Sequence, residues 1–400
     1  MEPDLFADWL RFVYQRGFQR AQPARAAAML EEHPELADAC PLAVGLPGNP
    51  PPYGMPPLIS VTFSGLIHVG RFADALRHCA RQLLDEGADP NATWTDPDFP
   101  NWPLSALYGA AGLNHDPGMT RILLDYGANP DDNESLYHSV ESPDLACTRL
   151  LLEYGATVEG TNAVAHMLDY DNLEGLRLLL EHGGEPALMH ALRRRRSPEH
   201  IRELLNAGAP TEGAWRLAMI YGLPEAAALL PPEPLTPEEA FIAACARGDR
   251  QEASRLNRLG SLSEEQLRML PNLVEAGNIE GARTMVEMGW PIDARGGDWN
   301  ASALNLAIFR GDAALTRFLL EHGADWRVKH GYNDNALGTL SYASRNNGPG
   351  SWLECAQALV EHGTPPPAPG DYEFSPEVTR YFTDAAKTKP SAGPAGSANP

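Results

Sequence analysis

Asn300-Ala-Ser-Ala-Leu-Asn-Leu-Ala-Ile-Phe-Arg-Gly-Asp-Ala-Ala-Leu-Thr-Arg-Phe-Leu-Leu-Glu-His-Gly-Ala-Asp325 is the stretch from which the fold of this 400-residue chain is read. Its first half, Ala303-Leu-Asn-Leu-Ala-Ile308, is a short apolar helix rich in small residues. Its second half is an amphipathic helix that stops at Leu319-Leu-Glu-His-Gly323. Glycine accepts positive φ without a Cβ penalty, so a glycine just after the last apolar pair reads as a helix C-cap. Small residues allow two antiparallel helices to approach closely. Neither helix can bury its apolar face alone, so such a pair must stack on others like it.

The same phrase returns along the chain, as a search for internal periods requires. It appears as Leu83-Leu-Asp-Glu-Gly87, Leu123-Leu-Asp-Tyr-Gly127, Leu151-Leu-Glu-Tyr-Gly155, Leu179-Leu-Glu-His-Gly183, Leu204-Leu-Asn-Ala-Gly208 and Leu359-Val-Glu-His-Gly363. Degenerate copies are read as ending at Gly260 and Gly289. Upstream helices of the Ala/Leu type include Leu104 to Ala110 and Ala240 to Ala246.

The 300–325 stretch closely resembles the ankyrin repeat. Ser302-Ala-Leu-Asn305 stands where that family places Thr-Pro-Leu-His, and Gly311-Asp312 where it places Gly-His. The resemblance extends over roughly residues 20 to 363. It implies an all-α ankyrin-repeat solenoid of about ten helix pairs, with short or missing hairpin fingers. The chain departs from the family in its spacing: the caps from Gly87 to Gly208 lie 40, 28, 28 and 25 residues apart, where a unit of about 33 is expected. The units between about 133 and 233 lack the segment that builds a finger, so their first helices should start almost directly after the preceding cap. Irregular arrays of this kind resemble bacterial ankyrin proteins, and the Arg-rich, Lys-poor composition fits a GC-rich bacterial genome.

Domain boundaries follow from composition. Residues 1–40 read as a cap helix (Phe6, Trp9, Leu10 and Val13 at helical spacing) and a degenerate first repeat. Residues 41–57, with seven prolines, read as a loop. A first stack is expected over 58–230, a proline seam over 231–237 and a second stack over 238–363. The Pro/Ala/Gly-rich tail spans 364–400, with a short helix over 371–386 and disorder from about 387.

The chain carries 31 basic against 53 acidic residues, a net charge of −22. Such a surface disfavours nucleic acid and anionic membrane and favours a basic protein partner. The five cysteines are dispersed and contain no Cys-x-x-Cys, so neither a disulfide framework nor a structural zinc site is expected. There is no signal-peptide pattern and no apolar run of membrane-spanning length, so cytoplasmic residence is the default, with a monomer expected. No metalloprotease, P-loop, dinucleotide or nucleophile-elbow motif occurs, so no catalytic, cofactor or metal residue is assigned.

Two sets of residues are candidates for partner contact. The first is the finger tips: Trp94, Asp96, Asp98, Phe99 and Trp102, then Trp299, then Trp326 and Tyr332, since aromatic side chains dominate binding hot spots. The second is a column. Aligning the inner helices on Leu136, Val164 and Leu188 puts His138, His166 and His190 two residues on. Each ring is expected to be neutral near pH 7 and cationic toward pH 6. Packed helices sit ~8–10 Å apart, too far for three rings to share one metal. The basic run Arg193-Arg-Arg-Arg196 reads as a turn between the two helices of one repeat, with Arg195 at the family's glycine position. The resulting reading is a protein-interaction module for a basic partner, as an immunity-like inhibitor or an adaptor in a bacterium. The alternatives are a small-ligand-binding or enzyme-like protein centred on the histidine column, and a secreted host-directed effector.

Overall fold

The computed structural model describes residues 55–96, 100–368 and 370–388, with Glu32 apart from them. The cap helix, the degenerate first repeat, most of the proline-rich loop and the tail beyond 388 lie outside these residues, as do Asp98 and Phe99.

Ten helix pairs follow one another among the described residues. They are α1 (Pro57–Thr62) with α2 (Gly70–Asp85), then α3 (Ala106–Tyr108, continued by a π-helical turn Gly109–Leu113) with α4 (Pro117–Asp125). Next come α5 (Ser135–Ser139) with α6 (Ala146–Glu153), α7 (Ala163–Met167) with α8 (Leu173–Glu181), and α9 (Leu188–Arg193) with α10 (Pro198–Asn206). The later pairs are α11 (Ala214–Ile220) with α12 (Pro224–Ala227), and α13 (Pro237–Ala246) with α14 (Arg250–Leu256). A split first helix, α15 (Glu264–Leu267) and α16 (Met269–Glu275), pairs with α17 (Ile279–Glu287). Then α18 (Ala303–Phe309) pairs with α19 (Ala313–Glu321) and α20 (Ala336–Asn346) with α21 (Trp352–Glu361), and α22 (Pro376–Thr388) closes the described chain. The only strands among the described residues form two antiparallel hairpins, β1 (Thr93–Thr95) with β2 (Pro103–Ser105) and β3 (Arg295–Gly296) with β4 (Ala301–Ser302). The chain is therefore an all-α repeat array with short fingers, and the units between 133 and 233 carry none.

The repeated phrase explains the packing. The first leucine of the phrase is fully buried at Leu123, Leu151, Leu179, Leu204, Leu319 and Leu359. Truncating such a side chain to Ala costs about 2–5 kcal/mol. The facing first helices contribute small buried residues, including Ala106, Ala163, Ala191, Ala218 and Ala307. Gly323 closes α19 at φ 89, and the other full phrases close in the same way. Gly260 does not: α14 ends after Leu256, and Gly260 sits one turn later within a short 3-10 turn at Leu259–Ser261. The expected cap there is corrected. Asn257 stands where the phrase has its second leucine, and the helix stops there, three residues before the glycine.

A second pattern marks the tight turn inside four of these pairs, at His115-Asp116, Gly248-Asp249, Gly277-Asn278 and Gly311-Asp312. A residue in the left-handed region precedes an Asp or Asn whose side chain caps the outgoing helix. Gly311 (φ 65) is followed by Asp312, which accepts from Leu315 N–H at 2.9 Å. His115 (φ 49) is followed by Asp116, which accepts from Met119 N–H at 2.6 Å. Arg195 is also left-handed, at φ 53, but is followed by Arg196 rather than by an Asp or Asn.

The chain divides into two compact units, one formed by Met1–Ala191 with Arg202–Pro210 and the other by Leu192–Ile201 with Thr211–Pro400. The proline stretch 231–237 lies inside the second unit, where α11 and α13 on either side of it pack together. Pro237 opens α13 behind a reciprocal cap, Glu239 N–H donating to Thr236 Oγ1 at 3.1 Å and Thr236 N–H to Glu239 Oε2 at 2.8 Å. Proline at the first helical position forfeits no intrahelical bond, so it starts this helix rather than breaking the stack.

Candidate functional site

The first unit holds the feature with most chemistry. Ser135–Ser139, Ala163–Met167 and Leu188–Arg193 are successive first helices, and the histidine column runs across them. The rings do not touch partners of their own kind alone; carboxylates join them. His138 Nε2 lies 3.3 Å from Glu134 Oε2, and His138 Nδ1 lies 2.8 Å from Glu141 Oε1. The same Glu141 oxygen lies 3.1 Å from His166 Nε2, while His166 Nδ1 lies 3.1 Å from Asp169 Oδ2. Asp169 Oδ1 lies 2.8 Å from His190 Nε2. The order is thus Glu134, His138, Glu141, His166, Asp169, His190, with acid and imidazole alternating.

A simple repeat produces this ladder. His138 and His166 each have an acid three residues later, one helical turn along, and that acid bonds its own ring and the ring of the next repeat. His190 has Arg193 at that position, so the ladder ends there. Aromatic rings pack around it: Tyr137 stacks on His166 with centroids 4.1 Å apart, and Tyr108 meets His138 edge-on at 5.3 Å. Side-chain exposure is 17% at His138, 12% at His166 and only 8% at Glu141.

The electrostatics correct one expectation. The rings were expected to be neutral near pH 7. Burial alone works in that direction for His138, but hydrogen bonds with Glu134 and Glu141 outweigh it and lift its pKa to about 9. His166 is raised too, burial again being overcome by Asp169 and Glu141. His138 therefore carries a proton at neutral pH, flanked by carboxylates on both ring nitrogens.

Beside the ladder lies a groove of about 390 Å³, bordered by Trp102 and Pro103 of the first finger and by Asp132 and Glu134 at the start of α5. Glu134 thus belongs to both features. Trp102 is 51% exposed at the groove's edge. Asp132 is held by its neighbours: it accepts from Ser135 N–H at 2.8 Å and Ser135 Oγ–H at 2.6 Å, and from the Ser105 hydroxyl.

The other finger residues separate by burial. Trp94 and Asp96 were expected at an exposed tip and are instead buried. In the β1–β2 hairpin Trp94 pairs with Leu104 and both face the core, because alternate strand residues point to opposite sides. In the second unit Trp299 packs between Phe309 and His330, with centroids at 5.3 and 5.0 Å, and Trp326 is half-buried against the core. Tyr332 is 80% exposed. Within the basic run, Arg194 pairs with Asp298 and, at 3.8 Å, with Glu275. The Arg195 guanidinium donates to the Tyr221 carbonyl. Among the described residues, no helix is long and apolar enough to cross a membrane.

The sequence reading found the histidines and missed Glu134, Glu141 and Asp169. The signal was present as an acid at the fourth residue before His138 and at the third after His138 and His166. Helical neighbours at those spacings share a face.

No family model matches the sequence, and no curated protein matches it. Among solved structures, the chain is similar to the ankyrin repeat domain of Bcl-3, described as a unique member of the IkappaB protein family. That match has 20% identity, covers 51% of this chain and 87% of the other, and has a TM-score of 0.25. It is also similar to the human ASB11 ankyrin repeat domain, with 15% identity over 78% of this chain and all of the other, at a TM-score of 0.25. At this level of superposition the likeness adds nothing to what the helix pairs themselves display.

Proposed function

We propose that this chain is a protein-binding module that takes a basic segment of its partner in the groove between the first finger and α5. The observation that carries this reading is Trp102, half exposed beside Asp132 and Glu134 on a groove of suitable size. A large aromatic next to carboxylates suits an arginine or lysine side chain, whose stem packs on the ring while its charge meets the acids. The net charge of −22 adds a long-range field that draws in a basic chain and repels phosphate backbones. Repeat arrays offer extended surfaces of this kind without needing a reactive centre. The partner-contact set in the groove is accordingly Trp102 with Asp132 and Glu134; Tyr332 is a separate exposed aromatic of the second unit. His138, His166 and His190 are engaged by Glu134, Glu141 and Asp169 and are not counted in that set. The Arg-rich, Lys-poor composition supports a bacterial source, in which the module serves as an immunity-like inhibitor or adaptor, cytoplasmic and monomeric.

The test is selection of binding peptides from a random displayed library against the full chain. Enriched peptides should be rich in Arg and Lys, should lose affinity as salt shortens the screening length to ~8 Å, and should bind at least roughly tenfold more weakly to Trp102→Ala. Enrichment of neutral or acidic peptides, or of peptides indifferent to Trp102→Ala, would overturn the proposal.

A further inference from the structure

We infer that His138, Glu141 and His166 form a binding site for a divalent transition cation of the zinc class. The three side chains can each offer one ligand atom, and these atoms lie within 4.8 Å of one another. More telling are the individual edges. Glu141 Oε1 is 2.8 Å from His138 Nδ1 and 3.1 Å from His166 Nε2. In a tetrahedral site with bonds of about 2.0–2.1 Å, ligand atoms stand roughly 3.3 Å apart. Those two edges already match, and the edge between the two ring nitrogens, within 4.8 Å, is the one that has to shorten toward that spacing to close on an ion.

The far side of each ring supplies the second argument. Imidazole ligands are held in orientation by an acceptor on their other nitrogen, most often a carboxylate. His138 has Glu134 at 3.3 Å on Nε2, and His166 has Asp169 at 3.1 Å on Nδ1. Each ring would keep its proton on the nitrogen facing that outer acid and bind the ion through the nitrogen facing Glu141. Asp169 is itself held by His190 at 2.8 Å, and Tyr137 stacks on the His166 ring. Both rings are thus fixed from behind.

The donor set selects the ion. Two imidazoles and one carboxylate suit Zn²⁺ or Co²⁺, whereas Ca²⁺ and Mg²⁺ require a shell of oxygens. With neutral rings, the three carboxylates Glu134, Glu141 and Asp169 concentrate negative charge on this face, which a divalent cation offsets. Three protein ligands leave a fourth position for water. The site is carried by the first unit alone and stands whether or not a basic partner occupies the neighbouring groove.

The experiment is titration of the chelator-stripped full chain with Zn²⁺ by calorimetry and with Co²⁺ by visible absorption. It is run at pH 8, because cation and ring protons compete for the same nitrogens. The expected result is saturable uptake of one equivalent with the intense visible bands of tetrahedral Co²⁺. Glu141→Gln and His166→Gln should abolish that uptake, and Asp169→Asn should weaken it by about 10–100-fold. His322→Gln, in the second unit, should leave it unchanged. Circular dichroism checks that each variant keeps its helices. Should a ligand variant unfold, Co²⁺ broadening of the His138 and His166 ring resonances in the wild-type chain locates the ion without substitution. Absence of one-equivalent binding in the wild-type chain, undiminished binding in folded Glu141→Gln, or broadening centred on other histidines overturns the inference.

Discussion

Raising the pH should loosen the first unit, and His138 should account for the effect. In the cation-free folded chain its imidazolium sits between Glu134 and Glu141, which carry its pKa from 6.5 to about 9. The groups facing it from other elements are Tyr108 of α3 and His166 of α7, with Tyr137 beside it on α5. Between those two pH values the folded state binds a proton that the unfolded state does not. The stabilisation is therefore fully present below pH 6.5 and is lost as pH rises through about 9. At about 1.36 kcal/mol per pKa unit, the full amount is on the order of 3 kcal/mol, with the ring only 17% exposed. Urea unfolding followed by tyrosine and tryptophan fluorescence, in chelator, at pH 6, 7.5, 9 and 10, measures it. The wild-type chain should lose most of this increment between pH 7.5 and 10, and His138→Gln should be less stable at pH 6 yet nearly equal to wild type at pH 10. A parallel NMR titration should find the His138 ring protonated at pH 7.5. A His138 midpoint at or below 6.5, or a wild-type and variant difference that does not change with pH, refutes the ion-paired ladder.

The two tryptophans of the first finger should part company. Trp94→Ala removes a buried side chain and should cost about 3–5 kcal/mol in unfolding free energy, while Trp102→Ala, 51% exposed, should barely change stability and should weaken basic-peptide binding. Alanine at Gly323 meets nothing within 4 Å and should cost roughly 1–2 kcal/mol for its left-handed conformation alone. At Gly311 the new Cβ meets the Gly350 backbone at 2.7 Å, so a loss of roughly 3 kcal/mol is expected; equal midpoint shifts for the two would show that this contact yields freely. Burial lifts the thiols of Cys147 and Cys245 to about 12 and that of Cys355 to about 11. Mass mapping after brief iodoacetamide treatment at neutral pH should find these three unmodified in native chain and modified in urea.

The parts of the fold that were legible in the sequence are those fixed by local chemistry. A leucine pair followed at fixed distance by glycine specifies both the buried face and the stop of a helix, so the pairs and the fingerless middle units could be read directly. Gly260 misled because a glycine was present without the apolar pair at the right distance. Trp94 misled because a short hairpin alternates its faces, and only the register with Leu104 tells which side meets the core. The division into two units was not legible, since proline at 231–237 marks a helix start rather than a break in packing. The histidine column was legible from alignment. Its charge state was not, because that depends on Glu141 reaching back to its own ring and forward to the next repeat's.

The middle of the first unit is also a cassette. Gly127, Gly155 and Gly183 are left-handed caps set 28 residues apart, and each interval between them contains one ladder histidine, His138 or His166, with its acid three residues on. A genetic duplication of residues 128–155 would re-enter the chain at a matching cap and present the same faces to its neighbours. It would add a second copy of Glu134, His138 and Glu141, one imidazole with two carboxylates, and deletion of the same block would remove those three. The polar face of this protein can thus grow or shrink in whole rungs, without any change of residue type elsewhere.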